Sequence, residues 1–155
     1  MANKDAAFGM KPVRMIGGAP YTGGQSRYRI AANYGTSIFQ GDMVAQVTGG
    51  TVEVHADGGT VPIVGVFNGC QYVDPNGNII FSNHWPANAT GTDIFANVVD
   101  DPSALFEIQA DAAMPVADLF GNFDIVDATA GSTVSGNSRT ELDVTTGATT
   151  AGLPL

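Results

Sequence analysis

The residues best able to do chemistry are few: one cysteine, two histidines and one tryptophan, of which Cys70, His84 and Trp85 fall between positions 70 and 85. A thiol becomes a nucleophile or a soft metal ligand only when a neighbouring cation lowers its pKa, and no cationic residue neighbours Cys70 in sequence, so an inert buried thiol is expected. One Cys and two His (His55, His84) do not make a structural zinc set, and a single Cys closes no intrachain disulfide. Asp74-Pro75-Asn76-Gly77-Asn78 opens like a calcium loop, but the twelfth position, where a bidentate Glu is needed, is Trp85. Asp93, Asp124 and Asp127 are expected to be solvated carboxylates rather than ion ligands.

Nucleotide and hydrolase signatures are absent: there is no Gly-x-Ser-x-Gly, no phosphate-binding glycine loop and no His-Glu-x-x-His. No enzymatic activity and no cofactor are expected. Tyr72, His84 and Trp85 remain as a possible ligand face, because a tryptophan ring offers a stacking surface and an N–H donor. The alternative for Trp85, and the preferred one, is a core aromatic with a histidine at its edge.

The elements that must position these residues are short strands. Twenty glycines, with Gly-Gly, Asp-Gly-Gly and Asn-Gly turns between β-branched and aromatic runs, predict an all-β antiparallel barrel or sandwich with at most one short helix. Val52 and Val54 alternate with Glu53 and His55 as in a half-buried strand, and residues 61–67 are apolar enough to be covered on both faces. Residues 74–78 predict a hairpin turn, since Asn and Gly accept positive φ cheaply. Further strands are predicted at 94–99, 104–110, 123–126 and 139–144, with a helical turn within 112–120.

Charge divides the chain more sharply than hydropathy does. Residues 1–29 carry five of the six basic residues against one acid, whereas residues 30–155 carry one base against fourteen acids. The glycines and prolines of the first segment break any regular period, yet Phe8, Met10, Met15 and Tyr21 make it too apolar for a plain disordered tail. The expectation is a 1–29 basic N-terminal arm on a 30–155 acidic body. The arm's binding residues would be Lys4, Phe8, Met10, Lys11, Arg14, Met15, Tyr21, Arg27 and Arg29. Alternatively, Arg27 and Arg29 flank the first strand and pair with acids of the body.

Nucleic acid is disfavoured as a partner because the acidic body would be held against phosphates. A membrane is disfavoured because the bases are sparse and lie on no amphipathic helix. An acidic protein surface suits the arm better, with arginines on carboxylates and apolar residues in pockets.

The stretches "MANKDAAFGMKPVRMIGGAPYTGG…RYRI", "GDMVAQV…VPIVGVFNGC", "DDPSALFEIQAD" and "GNSRTELDVTTGATTAGLPL" resemble the capsid decoration, or cement, proteins of tailed bacteriophages. The resemblance implies a β-rich body on the outer surface of a phage head, made in the host cytoplasm and assembled into the virion. It also implies a homo-oligomer, trimer or dimer, whose extended arm clamps neighbouring major capsid protein subunits against the pressure of packaged DNA. In such relatives the last stretch runs into a further strand, which a chain ending at Leu155 would lack. A second expectation from another class is a virion-surface module that binds a host glycan through Tyr72 and Trp85.

Overall fold

The computed structural model of the chain describes residues 6–59, 61–127 and 131–148. Its turn-separated apolar runs form twelve strands among those residues. In chain order they are β1 (Lys11–Met15), β2 (Ser26–Arg29), β3 (Ile38–Phe39), β4 (Met43–Val47), β5 (Thr51–Val54) and β6 (Ile63–Val73). There follow β7 (Ile79–Ser82), β8 (His84–Trp85), β9 (Thr92–Val99), β10 (Ala104–Glu107), β11 (Asn122–Val126) and β12 (Glu141–Ala148). The helical turn expected within 112–120 is a single 3-10 turn, Val116–Asp118.

Five strands close on themselves. β4 pairs with β5, β5 meets β2 in one parallel bridge (Arg29↔Thr51), β2 pairs with β9, β9 with β6, and β6 returns to β4. Closure leaves the barrel itself without a free edge, and β7 is added to the outside of β6 as the sheet's edge strand. The long β6 serves both sides, its first half pairing with β4 and its second with β7. Between the halves Gly69 has φ +110°, and a Cβ there would lie 2.9 Å from the Ser82 carbonyl oxygen. The bend at that bulge therefore depends on glycine.

Alternation along the strands makes two apolar layers. Val44, Phe67, Ala96 and Val98 point into the barrel, joined by Ile38 and Trp85 from the β3/β8 ribbon. Each such fully buried aliphatic or aromatic side chain contributes about 1.5–3 kcal/mol of transfer free energy. Their sequence neighbours Met43 and Val66 point outward and pack with Met10 and Ile125, with Ile63, Phe106 and Ile108 at the margin. This outer layer seats two two-stranded ribbons, β1/β10 and β11/β12, on the barrel wall.

The N-terminal segment is thus part of the fold rather than a separate arm. Met10 is buried in the outer layer, and its amide donates to the Gly41 carbonyl at 2.8 Å. Gly9 before it has φ +71°, and a Cβ there would lie 2.5 Å from Ser138 Cβ, so the chain is threaded closely between two loops. β2 is a barrel stave, with Tyr28 packed on the barrel core. The boundary expected at residue 29 is corrected accordingly, because Met10 and Tyr28 find apolar surface to cover on the chain's own body. Lys4 and the expected missing final strand fall outside the described residues.

Candidate interaction surfaces

Two-residue alternation on β2 turns Arg27 and Arg29 outward while Tyr28 turns in. The register sets Arg29 opposite Phe95, Phe95 opposite Gln71, and Gln71 opposite Phe81, a row across β2, β9, β6 and β7. The guanidinium carbon of Arg27 lies 4.4 Å from the Phe95 ring centroid and that of Arg29 5.5 Å, both within cation–π range. Arg27 Nη2 also donates to Gln71 Oε1 at 3.1 Å.

Among the described residues neither arginine is in an ion pair, so stacking on Phe95, not pairing with the body's acids, holds them. Asp100 instead accepts from the Tyr28 hydroxyl at 2.7 Å, the bond that chiefly raises the Tyr28 pKa. At the other end of the row Phe81 is 74% exposed, with Ile79 exposed beside it.

The other basic pair sits on β1. Lys11 and Arg14 are exposed on a strand held by β10, with Lys11 opposite Glu107 and Arg14 opposite Leu105. After β1 the chain turns at Gly17-Gly18, where the Met15 amide donates to the Ala19 carbonyl at 2.9 Å. Ile16 is 64% exposed at this turn, Val13 is exposed on the strand, and the Ile16 amide is fixed to the Ser103 carbonyl at 2.7 Å. Tyr21 is half-buried, its hydroxyl donating to the Gly24 carbonyl at 2.8 Å and its pKa raised by burial and by Asp100.

A cleft of about 400 Å³ opens between this segment, at Phe8, Met10, Lys11 and Pro12, and the barrel at Gln40, Gly41, Asn68 and Val99. Its charged lining residues among those described are Lys11 and Glu107.

The Tyr72, His84 and Trp85 set does not form an outer face. Trp85 is 0% exposed, with the Tyr72 ring edge-on at 5.2 Å. His84 stacks on Phe39 at 5.8 Å, and its carbonyl accepts from Cys70 Sγ at 3.4 Å. The preferred core reading of Trp85 holds and the alternative of a ligand face is corrected: its position on the two-residue β8 opposite Ile38 directs the ring into the core. Burial pushes the Cys70 thiol up to about 12, so it stays protonated and unreactive.

Asp42 and Asp124 are also buried, and burial lifts Asp42 to about 6. The buried position of Asp124 differs from the solvated carboxylate expected. Its Oδ1 accepts the Ile125 amide at 2.8 Å. Among the described residues no three His, Cys, Asp or Glu side chains gather as a metal set.

A surface that sequence reasoning missed lies at 114–120. Met114, Val116, Leu119 and Phe120 are all exposed there, Phe120 at 104%. Phe120 holds φ +73°, a conformation rare for a bulky side chain, closed by the Gly121 amide donating to the Asp118 carbonyl at 2.9 Å. The available signal was the run Met-Pro-Val-Ala-Asp-Leu-Phe, whose apolar residues fit neither a two-residue nor a 3.6-residue period. Comparison of the chain with protein-family models, with curated proteins and with solved structures gives no match.

Proposed function

We propose that the chain is a structural protein of a tailed-phage head that binds the outer surface of the shell and clamps neighbouring major capsid protein subunits. The observation that carries this reading is β1 with the turn that follows it, where Lys11 and Arg14 stand with exposed Val13 and Ile16 on a chain that is acidic overall. Exposed apolar residues flanked by cations suit an acidic protein surface, the apolar groups supplying desolvation and the cations orientation. Anchoring by β10 and by Met10 makes the turn stiff, so less ordering entropy is lost on docking.

A contact of about 800 Å² per partner is specific and stable, and many copies around a shell multiply its resistance to separation. The acidic remainder then faces solvent on the virion, after synthesis in the host cytoplasm. A glycan surface at Trp85 is disfavoured, since the ring it needs is enclosed.

Deleting residues 1–29 is a poor test, because it removes a barrel stave along with the proposed contact. Reversing charge at exposed positions is cleaner. Lys11→Glu with Arg14→Glu, and separately Ile16→Asp, should each weaken cosedimentation with shells assembled from the major capsid protein of the same genome, while circular dichroism stays unchanged. Undiminished binding by both folded variants overturns the proposal.

A further inference from the structure

We infer that copies of this chain associate head to tail, the 114–120 knob of one copy docking on the Arg27/Arg29/Phe95/Phe81 face of the next. Two unpartnered surfaces of the chain complement each other in both polarity and charge. The knob presents Val116, Leu119 and Phe120 to solvent, with the half-buried Asp118 between them in sequence. The face presents Phe81 and Ile79 at one end and two arginines, outside any ion pair among the described residues, at the other.

Each surface has a feature that does not serve the isolated fold. Phe120 keeps a backbone conformation costing a bulky residue roughly 1–2 kcal/mol while its ring contacts solvent, so no packing within the chain repays that strain. Arg27 and Arg29 lie side by side on one ring, which orients both guanidinium groups but neutralises neither. A carboxylate arriving with apolar neighbours would complete that site with charge-assisted hydrogen bonds.

The second copy is the occupant favoured by charge. The body that carries the knob is strongly acidic, and the arginine pair lies on a different sheet from the β11/β12 ribbon that bears the knob. Knob and face are different surfaces of one chain, so the contact is heterologous and is satisfied throughout only when it closes into a ring. This inference uses β2 and β9, not the β1 turn, and stands independently of the capsid reading.

The test is sedimentation equilibrium of the full chain over a concentration series reaching well above micromolar, the range of a modest interface. Wild type should form a closed oligomer of fixed size. Phe120→Ser should weaken association by about tenfold or more, as should Arg27→Glu with Arg29→Glu, with circular dichroism unchanged in both. Adding Asp118→Arg to the Arg27→Glu/Arg29→Glu variant should restore part of its loss, which general damage to the fold would not allow. A wild-type chain that stays monomeric throughout overturns the inference, even if the arginine variants lose shell binding, since that result assigns the face to the capsid. An oligomer indifferent to both sets of substitutions overturns it equally.

Discussion

The barrel interior and the two outer ribbons place their apolar and aromatic residues in opposite ways. Inside, Trp85, Tyr72 and Cys70 each meet a partner within the chain: Trp85 and Tyr72 are edge to face, and Cys70 donates to the His84 carbonyl. Outside, on β1/β10 and next to β11/β12, Val13, Ile16, Val116, Leu119 and Phe120 are left in water. Two-stranded ribbons are marginal alone, so these depend on the single layer of Met10, Met43, Val66 and Ile125 beneath them. The closed barrel acts as a frame, and the ribbons carry what the frame presents. In such a molecule reactive residue types point to the core, and exposure of ordinary apolar residues points to function.

Truncating each layer tests that division. Trp85→Ala empties the largest fully buried site and should lower unfolding free energy by about 3–5 kcal/mol in chemical denaturation. Barrel and ribbons should be lost together. Met10→Ala should cost about 2–3 kcal/mol, the low end for a methionine at the margin of a layer. Its signature is regional: amide exchange should quicken in β1 and β10 while β6 and β9 stay protected. Equal acceleration everywhere would mean that frame and ribbon are one cooperative unit.

Asp42 sits at the joint between the two regions. Its carboxylate accepts the Phe39 amide at 2.7 Å on the barrel side, and Thr140 Oγ1 approaches at 3.5 Å from the segment leading into β12. Burial raises its pKa to about 6, above the 3.8 of a free aspartate, so the folded chain binds this proton more tightly than the unfolded one. The resulting stabilisation is complete below about pH 4, declines as pH rises, and is gone above about pH 6. Asp42→Asn keeps an acceptor for the Phe39 amide without the charge. At pH 7 it should be more stable than wild type by on the order of 1–3 kcal/mol, at about 1.4 kcal/mol per pKa unit. Its urea midpoint should vary less between pH 4 and 6 than that of wild type. Identical pH slopes would show that Asp42 does not carry this dependence.

Local chemistry made part of this fold legible in the sequence. The 74–78 hairpin follows from side chains acting on their own turn: Asp74 Oδ1 accepts the Asn76 and Asn78 amides at 2.9 and 2.8 Å, and Gly77 takes φ +86°. Strands at 94–99 and 123–126 follow from short β-rich runs and appear within β9 and β11. The closure was not legible, because it rests on pairings distant in sequence, Arg29 with Thr51 and Met43 with Val66.

His55 shows how a strand end escapes its period. Alternation from Val52 and Val54 puts it on the polar face, yet it is buried. Its amide donates to the Met43 carbonyl at 2.8 Å, and its Nε2 lies 2.9 Å from the Val61 carbonyl oxygen. Of the expected binding residues, composition located the basic pairs but not their division between β1 and β2. That division depends on Phe95, a residue nearly seventy positions from Arg27 that no local pattern connects to it.

The smallest expected effect separates the two regions most cleanly, because its sign reverses. Removing an aromatic ring from the barrel destabilises the fold, whereas Phe120→Gly should stabilise it. The φ of +73° costs a bulky residue roughly 1–2 kcal/mol and glycine almost nothing, and the ring is fully exposed, so little packing is lost with it. Part of that gain is offset by the greater freedom of glycine in the unfolded chain, leaving about 0.5–1 kcal/mol. In a thermal melt of a chain this size the midpoint should rise by about 1–4 °C, measured at a concentration where wild type is monomeric. Phe120→Ala retains the unfavourable backbone and should give no such rise. A lower midpoint for the glycine variant would mean that the ring packs on the body after all. A higher midpoint together with weaker self-association would mark Phe120 as a residue kept at the expense of the fold.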